Sequence, residues 1–205
     1  AERDERVQAI MPRVGLDPAL INRYPHELSG GQNQRVGIAR AMILKPKLVI
    51  CDEAVSALDV SVQAQVVDLL IELQKEFGLA MIFISHDLSV VREISHRVMV
   101  LYLGRIVELA GRTAIYEDAR HPYTKALIAA VPAADPKLER TRERIKLTGD
   151  LPSPLDSRAP LRFLKSKRVD DPDAEQYQPQ LIEIAPGHMV AEHDAILGSE
   201  GLYAS

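Results

Sequence analysis

The chain has 205 residues, of which 46% are hydrophobic and 26% are charged, and its formal net charge is −4. This balance is typical of a globular protein with a sizeable core, and it excludes a disordered, collagen-like or disulfide-stapled chain. The negative net charge argues against a broad basic surface for nucleic acid. The single cysteine, Cys51, excludes an internal disulfide and favours a cytosolic setting. No apolar run approaches the roughly 18 residues that a spanning helix needs, and no signal peptide is recognisable.

A glycine turn stands near the start of the chain. Leu28–Gln32 reads LSGGQ and leads into a predicted helix over Asn33–Leu44, which Pro46 ends. Two adjacent glycines let the backbone approach a ligand closely, and Ser29 offers a hydroxyl. The helix also directs its positive N-terminal end towards the same place, which favours an anion such as a terminal phosphate. The alternative is an ordinary serine-capped helix after a glycine turn.

Two short apolar runs predict strands further along the chain. Leu48–Cys51 and Leu79–Ile84 do not alternate between apolar and polar residues, so both are expected to be buried on both faces. An amphipathic helix separates them, with Ser61 as its predicted N-cap and Gly78 at its end. Its apolar positions recur at helical spacing: Val62, Val66, Leu69, Leu70, Leu73 and Phe77.

A short helix and a hairpin continue the pattern. Leu88–Ile94 is the predicted helix, and Val98–Leu103 and Arg105–Leu109 flank Gly104 as two strands of a hairpin. Strands and helices that alternate from residue 48 to residue 103 predict an α/β layered sheet. After about residue 132 prolines become frequent, and we expect a loop-rich extension rather than a second α/β domain.

Two adjacent acids, Asp52 and Glu53, follow the first predicted strand. Successive strand residues point to opposite sides, so the two carboxylates cannot do the same work. One can hold Mg²⁺ through a water, while the other reaches the water that attacks a phosphate. The alternative is a solvated strand end before a loop.

The second predicted strand runs into Ser85–Asp87, which reads SHD. An imidazole at His86 can hydrogen-bond a phosphate and orient a carboxylate. The alternative is a histidine that caps the following helix. A Ser–His–Asp hydrolase is rejected, because these residues are sequence neighbours and the G-x-S-x-G turn is missing.

In order and spacing, these motifs resemble the second half of an ABC-type ATPase. Leu28–Gln32 matches the signature loop, Leu48–Glu53 the Walker B strand, Ser56–Asp59 the D-loop and His86 the switch histidine. The fold that this implies is the C-terminal part of an α/β P-loop ATPase domain. Ala54 stands where such ATPases often carry a proline, a mild departure that keeps both acids.

The resemblance extends to the ATP-binding subunits of bacterial oligopeptide and dipeptide importers. YPHE at Tyr24–Glu27, HPYTKAL at His121–Leu127 and GDLPSPL at Gly149–Leu155 are similar to that family. The resemblance implies three segments: the end of a helical signature subdomain at 1–47, the C-terminal half of the catalytic core at 48–131, and an importer-type extension at 132–205.

The resemblance implies that ATP and Mg²⁺ are handled by three residues of this chain's own core. Glu53 would polarise the attacking water, His86 would link the γ-phosphate to Glu53, and Asp52 would hold Mg²⁺ through solvent. Catalysis would then consist mostly of positioning and charge stabilisation.

A second ATPase subunit, identical or different, is implied as the partner across the nucleotide. Ser29, Gly30, Gly31 and Gln32 would contact the γ-phosphate of ATP held by that partner, and Asp59 would couple the two sites. Membrane-spanning permease subunits are further implied partners, a solute-binding protein an indirect one, and nucleic acid is not expected. The implied location is peripheral, on the cytoplasmic face of the inner membrane.

The sequence also departs from this family. Four cysteines that could ligate a metal cluster are common in the extension, but Cys51 alone excludes a thiolate-bound cluster. A zinc site built on His188, Glu192 and His193 would lack recognisable ligand spacing. No lysine follows a glycine, so the phosphate-binding loop G-x-x-x-x-G-K-[ST] is missing. Together with the first methionine standing at Met11, this leads us to expect that the N-terminal half of the domain is not in this chain.

Three classes of function remain open from the sequence. The first is an ATPase subunit that energises a peptide-type importer. The second is a catalytically incompetent remnant that offers only a signature face. The third, an ABC-type ATPase of DNA repair or chromosome structure, is disfavoured by the weak basic character and by the importer-like HPY segment.

Overall fold

The computed structural model describes residues 2–131, 152–153, 155–165 and 176–197. The chain divides into two compact units, Ala1–Ile94 and Ser95–Ser205. Compactness therefore places a boundary at residue 94, whereas the motifs divide the sequence at residues 47 and 131. Residues 132–151 of the expected extension lie outside the described residues.

The first unit combines four helices with two strands. In chain order these are α1 (Glu2–Arg13), α2 (Gly30–Met42), β1 (Leu48–Asp52), α3 (Val60–Phe77), β2 (Ala80–Ile84) and α4 (Leu88–Ile94), with short 3₁₀ turns at Pro18–Asn22 and Pro25–Glu27. The predicted strands and the helix Leu88–Ile94 are confirmed, and α2 begins three residues earlier than the periodicity suggested. Gly78 ends α3 in a left-handed conformation, with φ of 60°.

The N-cap predicted for α3 is wrong by two residues. Asp59, not Ser61, caps the helix: its carboxylate accepts the Val62 N–H at 3.1 Å. Ser61 lies inside the first turn, and its hydroxyl donates to Asp59 at 2.7 Å. These hydrogen bonds, first from Ser61 and then from the Val62 backbone, lower the pKa of Asp59. An aspartate is favoured here because its negative charge also faces the positive end of the helix.

The two strands of the first unit pair in parallel, with Ile50 opposite Ile82 and Asp52 opposite Ile84. Only one face of this pair is covered. Cys51 is buried there and burial raises the pKa of its thiol. The prediction of strands buried on both faces is therefore wrong for this chain. The apolar side chains on the opposite face remain exposed: Leu48, Ile50, Ile82 and Ile84.

A single hydrophobic core holds the first unit together. Helix α3 supplies its largest share through Val66, Val67, Leu69, Leu70 and Leu73, all of which are buried. Residues from α1, α2, α4 and the inner face of the strands join the same cluster. The amphipathic pattern that predicted α3 therefore also predicted the face that it buries.

The second unit is built on an antiparallel sheet of four strands in the order β3-β4-β6-β5. The strands are β3 (Arg97–Tyr102), β4 (Arg105–Gly111), β5 (Leu181–Ala185) and β6 (His188–Ala191). The described residues of this unit also form helices α5 (Arg112–Glu117), α6 (Pro122–Ala130) and α7 (Asp194–Leu197), with a 3₁₀ turn at Ala159–Phe163. The predicted hairpin at Gly104 is confirmed, since β3 and β4 pair antiparallel. However, β3 does not add a strand to the parallel pair of β1 and β2. It belongs to a separate sheet, which β5 and β6 of the expected extension complete.

A buried carboxylate joins three parts of the second unit. Glu108 of β4 is fully buried and accepts the backbone N–H of Arg120 at 2.8 Å and that of His121 at 3.0 Å. His188 Nε2 of β6 lies 2.8 Å from the same carboxylate. Glu108 thereby fixes both the turn that begins α6 and the strand β6. A carboxyl group can be buried here because its oxygens are hydrogen-bonded.

Candidate functional site

The ends of β1 and β2 bring two of the predicted residues together. Glu53 directly follows β1, and its N–H donates to the carbonyl of Ile84 at 3.0 Å, so the pairing of the strands continues past Asp52. His86 stands two residues beyond β2. Parallel strands end at the same edge of a sheet, which is why residues 33 positions apart in sequence become neighbours. His86 Nδ1 lies 3.1 Å from Glu53 Oε1.

The Glu53–His86 pair is open to solvent and electrostatically coupled. The side chain of His86 is 77% exposed and that of Glu53 is 42% exposed. The hydrogen bond to Glu53, followed by the negative charge of that carboxylate, raises the pKa of His86 above its ordinary value. An imidazole held by Nδ1 presents Nε2 on the other side of the ring, where it can donate to an anion.

The backbone turns sharply at Glu53. Its φ is +50°, in the left-handed region that non-glycine residues seldom adopt. The turn is held from the other side by Ser56, whose hydroxyl donates to the carbonyl of Glu53 at 3.0 Å. Such strain is often found at functional positions, where the surrounding structure enforces it. This turn was not predictable from the residue types, since no glycine marks it.

Asp52 is the last residue of β1, whereas Glu53 lies in the turn that follows the strand. Its side chain is exposed at the last position of β1. Within the described part of the chain, no group of three or more His, Cys, Asp or Glu side chains could hold a metal ion. A cation at Asp52 would therefore need most of its ligands from a bound phosphate and from water. Mg²⁺ is usually held in this way, by one or two carboxylates with phosphate and water.

The glycine turn forms the beginning of α2. Ser29 caps the helix by accepting the N–H of Gln32 at 3.2 Å, and Gln32 Oε1 accepts the N–H of Ser29 at 2.9 Å. This capping box confirms the local alternative of a serine-capped helix. Ser29 can still donate a hydrogen bond, because a hydroxyl that accepts one hydrogen bond keeps its own proton. The first-turn N–H groups of Gly30 and Gly31 also have no partner within an α-helix.

The glycine turn packs against the segment that precedes and begins α3. A Cβ atom added to Gly31 would lie 2.6 Å from Cγ1 of Val62, whereas one added to Gly30 would lie 3.8 Å from Cδ2 of Leu58. The structure therefore brings Leu28–Gln32 close to Asp59. Among the described residues, no hydrogen bond joins this turn to the pair of Glu53 and His86.

The histidines of the extension do not form a zinc site. His188 faces Glu108, while Glu192 accepts the Tyr177 hydroxyl at 2.6 Å and the Gln180 N–H at 3.0 Å. His193 is buried and neither ring nitrogen has a hydrogen-bond partner. Glu108 belongs to none of the motifs, although a lone acid inside the apolar strand Arg105–Gly111 is a sign of a buried carboxylate.

Two family models match separate parts of the chain. The ABC transporter model matches residues 2–56, and the model of the oligopeptide/dipeptide transporter C-terminal region matches residues 107–159. In solved structures, cbiO1 from Clostridium perfringens, part of an ABC transporter complex, is 32% identical with a TM-score of 0.53 over 57% of this chain and 46% of its own. The cassette MJ1267, in its ADP conformation, is 24% identical with a TM-score of 0.54 over 61% and 50%. The fold is thus that of part of an ABC ATP-binding cassette.

Curated relatives indicate which kind of ABC transporter protein this chain is similar to. The oligopeptide transport ATP-binding protein OppF of Haemophilus influenzae is 56% identical over 191 residues, which cover 93% of this chain and 58% of that protein. AppF of Bacillus subtilis is 52% identical over 94% and 58%. The glutathione import ATP-binding protein GsiA of Pectobacterium atrosepticum is 50% identical over 94% and 28%. The chain is similar over more than nine-tenths of its length to ABC transporter ATP-binding proteins of the oligopeptide type, and it spans just over half the length of these relatives.

Proposed function

We propose that this chain is part of an ATP-hydrolysing subunit that energises an ABC importer for peptides or related small solutes. The observation that carries the proposal is the contact of 3.1 Å between Glu53 and His86 at the adjacent ends of two parallel strands. Ligands of open α/β sheets bind outside the carboxyl ends of the strands, where this pair stands. The relatives named above include both oligopeptide and glutathione import proteins, so the class of small peptides is proposed rather than one solute.

In this proposal Glu53 polarises the water that attacks the γ-phosphate, and His86 bridges Glu53 and that phosphate. The raised pKa of His86 favours the protonated ring, which is the better donor to an anionic oxygen. Asp52 would hold Mg²⁺ through water, and the bound ion would offset the charge of the phosphates. These groups act by positioning and by electrostatics, which is what phosphoryl transfer requires.

The glycine turn would serve a nucleotide bound by a second ATPase subunit, identical or different. Ser29 retains a hydroxyl proton, and the N–H groups of Gly30 and Gly31 lie at the positive end of α2, beside Gln32. Asp59 caps α3 next to this turn and would couple the two nucleotide sites. Both assignments agree with the close packing of the turn on Val62.

The remaining partners follow from the type of transporter. Among the described residues, no helix is long and apolar enough to cross a bilayer. We propose that permease subunits provide the membrane path, that a solute-binding protein acts indirectly, and that the subunit lies peripherally on the cytoplasmic face of the inner membrane.

A second candidate function is favoured by one observation: these 205 residues contain no G-x-x-x-x-G-K-[ST] loop. A chain that lacks this loop would be a catalytically incompetent remnant that offers only a signature face. The sequence encoded in frame before Ala1 separates the two candidates, since a P-loop there supports the enzyme and an unrelated sequence supports the remnant.

The test of the enzyme is Glu53→Gln in the complete subunit. ATP binding should be retained while turnover falls roughly a hundredfold or more, the range expected when a general base is lost. Glu72→Gln is the matched control, because Glu72 is an exposed acid on α3 of the same unit. Near-normal turnover by the Glu53→Gln subunit would remove Glu53 from this role.

A further inference from the structure

The two carboxylate oxygens of Asp87, the residue next to His86, accept hydrogen bonds from two different helices. Oδ1 accepts the N–H of Ser89 at 2.9 Å and that of Val90 at 3.3 Å, which caps α4. Oδ2 accepts Nε2 of Gln63 at 3.1 Å. With both oxygens engaged, the Asp87 side chain has little rotational freedom, and the backbone that carries His86 is fixed on its C-terminal side.

Gln63 reaches Asp87 from helix α3. Its own N–H donates to the carbonyl of Asp59 at 2.8 Å, so Gln63 belongs to the first turn of the helix that Asp59 caps. Gln63 and Asp87 are both half-buried, which shields their hydrogen bond from water more than a surface contact. Burial acts to raise the pKa of Asp87, but the hydrogen bonds, led by that of Gln63, outweigh it and the pKa is lowered.

A continuous set of contacts therefore links the beginning of α3 to the catalytic pair. It runs from Asp59 to Gln63 through a backbone hydrogen bond and from Gln63 to Asp87 through the amide–carboxylate hydrogen bond. It then passes along the chain to the adjacent His86 and on to Glu53. Ser85 adds a local tie, because its hydroxyl accepts the N–H of Asp87 at 3.0 Å. By contrast, the His86 ring is highly exposed, and among the described residues Glu53 is its hydrogen-bond partner.

We propose that Gln63 is a positioning residue for the ATPase reaction: its hydrogen bond to Asp87 fixes the Ser85–Asp87 loop so that His86 stays within reach of Glu53. This inference rests on the function proposed above. Through Asp59, it also supplies a physical path by which the beginning of α3 can influence His86. A misplacement of about 1 Å in such a site is enough to lower turnover substantially.

The first test compares Gln63→Leu with Gln65→Leu in the complete subunit. Gln65 is an exposed glutamine on the same helix, so the pair controls for helix propensity and for added apolar surface. We expect kcat of Gln63→Leu to fall roughly tenfold to a hundredfold, with little change in KM for ATP, and Gln65→Leu to behave like the parent. Equal kinetics for the two variants would overturn the proposal.

The second test uses a swap that keeps the geometry. Gln63→Glu places two carboxylates where the 3.1 Å hydrogen bond now lies, so turnover should fall. Adding Asp87→Asn lets the asparagine oxygen cap α4 while its amide group donates to the new glutamate. The double variant should recover most of the lost turnover, and a double variant no better than Gln63→Glu would contradict the proposal.

The third measurement does not depend on catalysis. An NMR titration of His86 in the same subunit should give a pKa above the ordinary value of 6.5 for the parent, and one closer to that value for Gln63→Leu, as contact with Glu53 weakens. Gln65→Leu should titrate like the parent. If the subunit fails to hydrolyse ATP, the titration still decides whether Gln63 positions His86. If Glu53→Gln abolishes turnover but Gln63→Leu changes neither kcat nor the titration, the positioning proposal alone fails.

Discussion

Gly30 and Gly31 are neighbours in the sequence but have different steric surroundings. Gly31 faces Val62 so closely that any side chain would collide, while Gly30 has ordinary van der Waals space towards Leu58. The resemblance to a signature loop assigns both glycines to phosphate contact. The structure adds a packing reason for Gly31 that has nothing to do with a ligand.

This difference predicts opposite results for two alanine substitutions. Gly31→Ala should destabilise the subunit by about 1–3 kcal/mol, because Val62 must move to accept the new methyl group. Gly30→Ala should leave the unfolding midpoint nearly unchanged but lower ATP turnover, since it alters the surface that would face the phosphate. Urea unfolding and ATPase assays of both variants check this.

A companion variant separates packing from ligand contact. Val62→Ala removes the methyl group that Gly31→Ala would meet, so the double variant should regain much of the lost stability. If Gly30→Ala proves as active as the parent, the glycine turn does not face a phosphate.

At the scale of elements, the buried Glu108 carboxylate explains how β4, the beginning of α6 and β6 are held together. Replacing it by glutamine leaves one oxygen acceptor and turns an NH₂ group towards an N–H donor. We expect Glu108→Gln to lower the free energy of unfolding by about 2–3 kcal/mol, the cost of leaving buried polar groups unpaired. Glu117→Gln, at an exposed acid of α5, should change it by less than about 0.5 kcal/mol. Equal unfolding midpoints for the two variants would contradict this role.

The buried histidines of the second unit make it sensitive to acid. Burial, followed by the charge of His193, lowers the pKa of His121 to about 3. Burial, followed by the charge of Lys125, lowers that of His193 to about 4, although Glu108 and Asp194 act in the opposite direction. Both values lie below the ordinary 6.5, so the unfolded chain binds more protons once the pH falls below about 6.5. The stabilisation is therefore complete above pH 6.5 and is lost progressively as the pH falls towards 4 and 3.

The expected loss is about 1.4 kcal/mol per pH unit for each histidine in that window. Between pH 7 and pH 5 each should therefore cost about 2 kcal/mol. His193→Phe keeps a ring beside His121 and removes one of the two titrating groups, so about half of the acid effect should disappear. Urea unfolding followed by pulsed amide exchange of Leu181–Ala191, at both pH values, measures this loss of stability. An unchanged acid effect in His193→Phe would show that its burial does not control stability.

The element positions were largely predictable from the sequence, but the environment of each element was not. Periodicity placed α3, because its apolar spacing is a local property of the chain. It could not show that the outer face of β1 and β2 is exposed in this chain, since an apolar run looks the same whether or not something covers it. The pairing of β4 with β6, residues 108 and 190, depends on contacts distant in sequence.

The candidate site shows the same division. The resemblance predicted Glu53, His86 and a link between them, and the parallel order of the strands brings the two residues together. The left-handed backbone at Glu53 and the hydrogen bond from Gln63 to Asp87 were not predictable, because both depend on three-dimensional packing rather than on local residue type. The roles in nucleotide chemistry of all the predicted site residues remain predictions: Glu53, His86, Asp52, Asp59 and Leu28–Gln32.

At the scale of the whole molecule, two properties predict how this chain behaves by itself. Its 205 residues contain no P-loop, and its parallel strand pair leaves an apolar face in solvent. The chain by itself should therefore show no steady, Mg²⁺-dependent ATP hydrolysis, because nothing in it cradles the β- and γ-phosphates. A colorimetric phosphate assay decides this, and steady turnover by the 205-residue chain would refute the division of roles proposed here.

The apolar face also predicts how the isolated chain behaves in solution. Ile50 is 61% exposed and Ile82 is 46% exposed, and the two are register partners at the centre of the strand pair. An uncovered apolar sheet surface promotes association and a broad, poorly cooperative melt. Replacing both isoleucines by threonine keeps the β-branched shape that strands favour and should reduce light scattering by the isolated chain. Val60→Thr, at an 84% exposed position outside the strands, is the matched control and should leave scattering unchanged.

The same double substitution should have the opposite effect in the complete subunit. There we expect residues beyond this stretch to cover this face, because the matched stretch makes up 58% of the curated relatives. Threonine hydroxyls would then be buried without partners, and the free energy of unfolding should fall by at least about 2 kcal/mol for the pair. A variant that is less prone to associate as the isolated chain and less stable as the complete subunit would show that the complete subunit buries this face. Unchanged stability in the complete subunit would show that the face stays in solvent there as well.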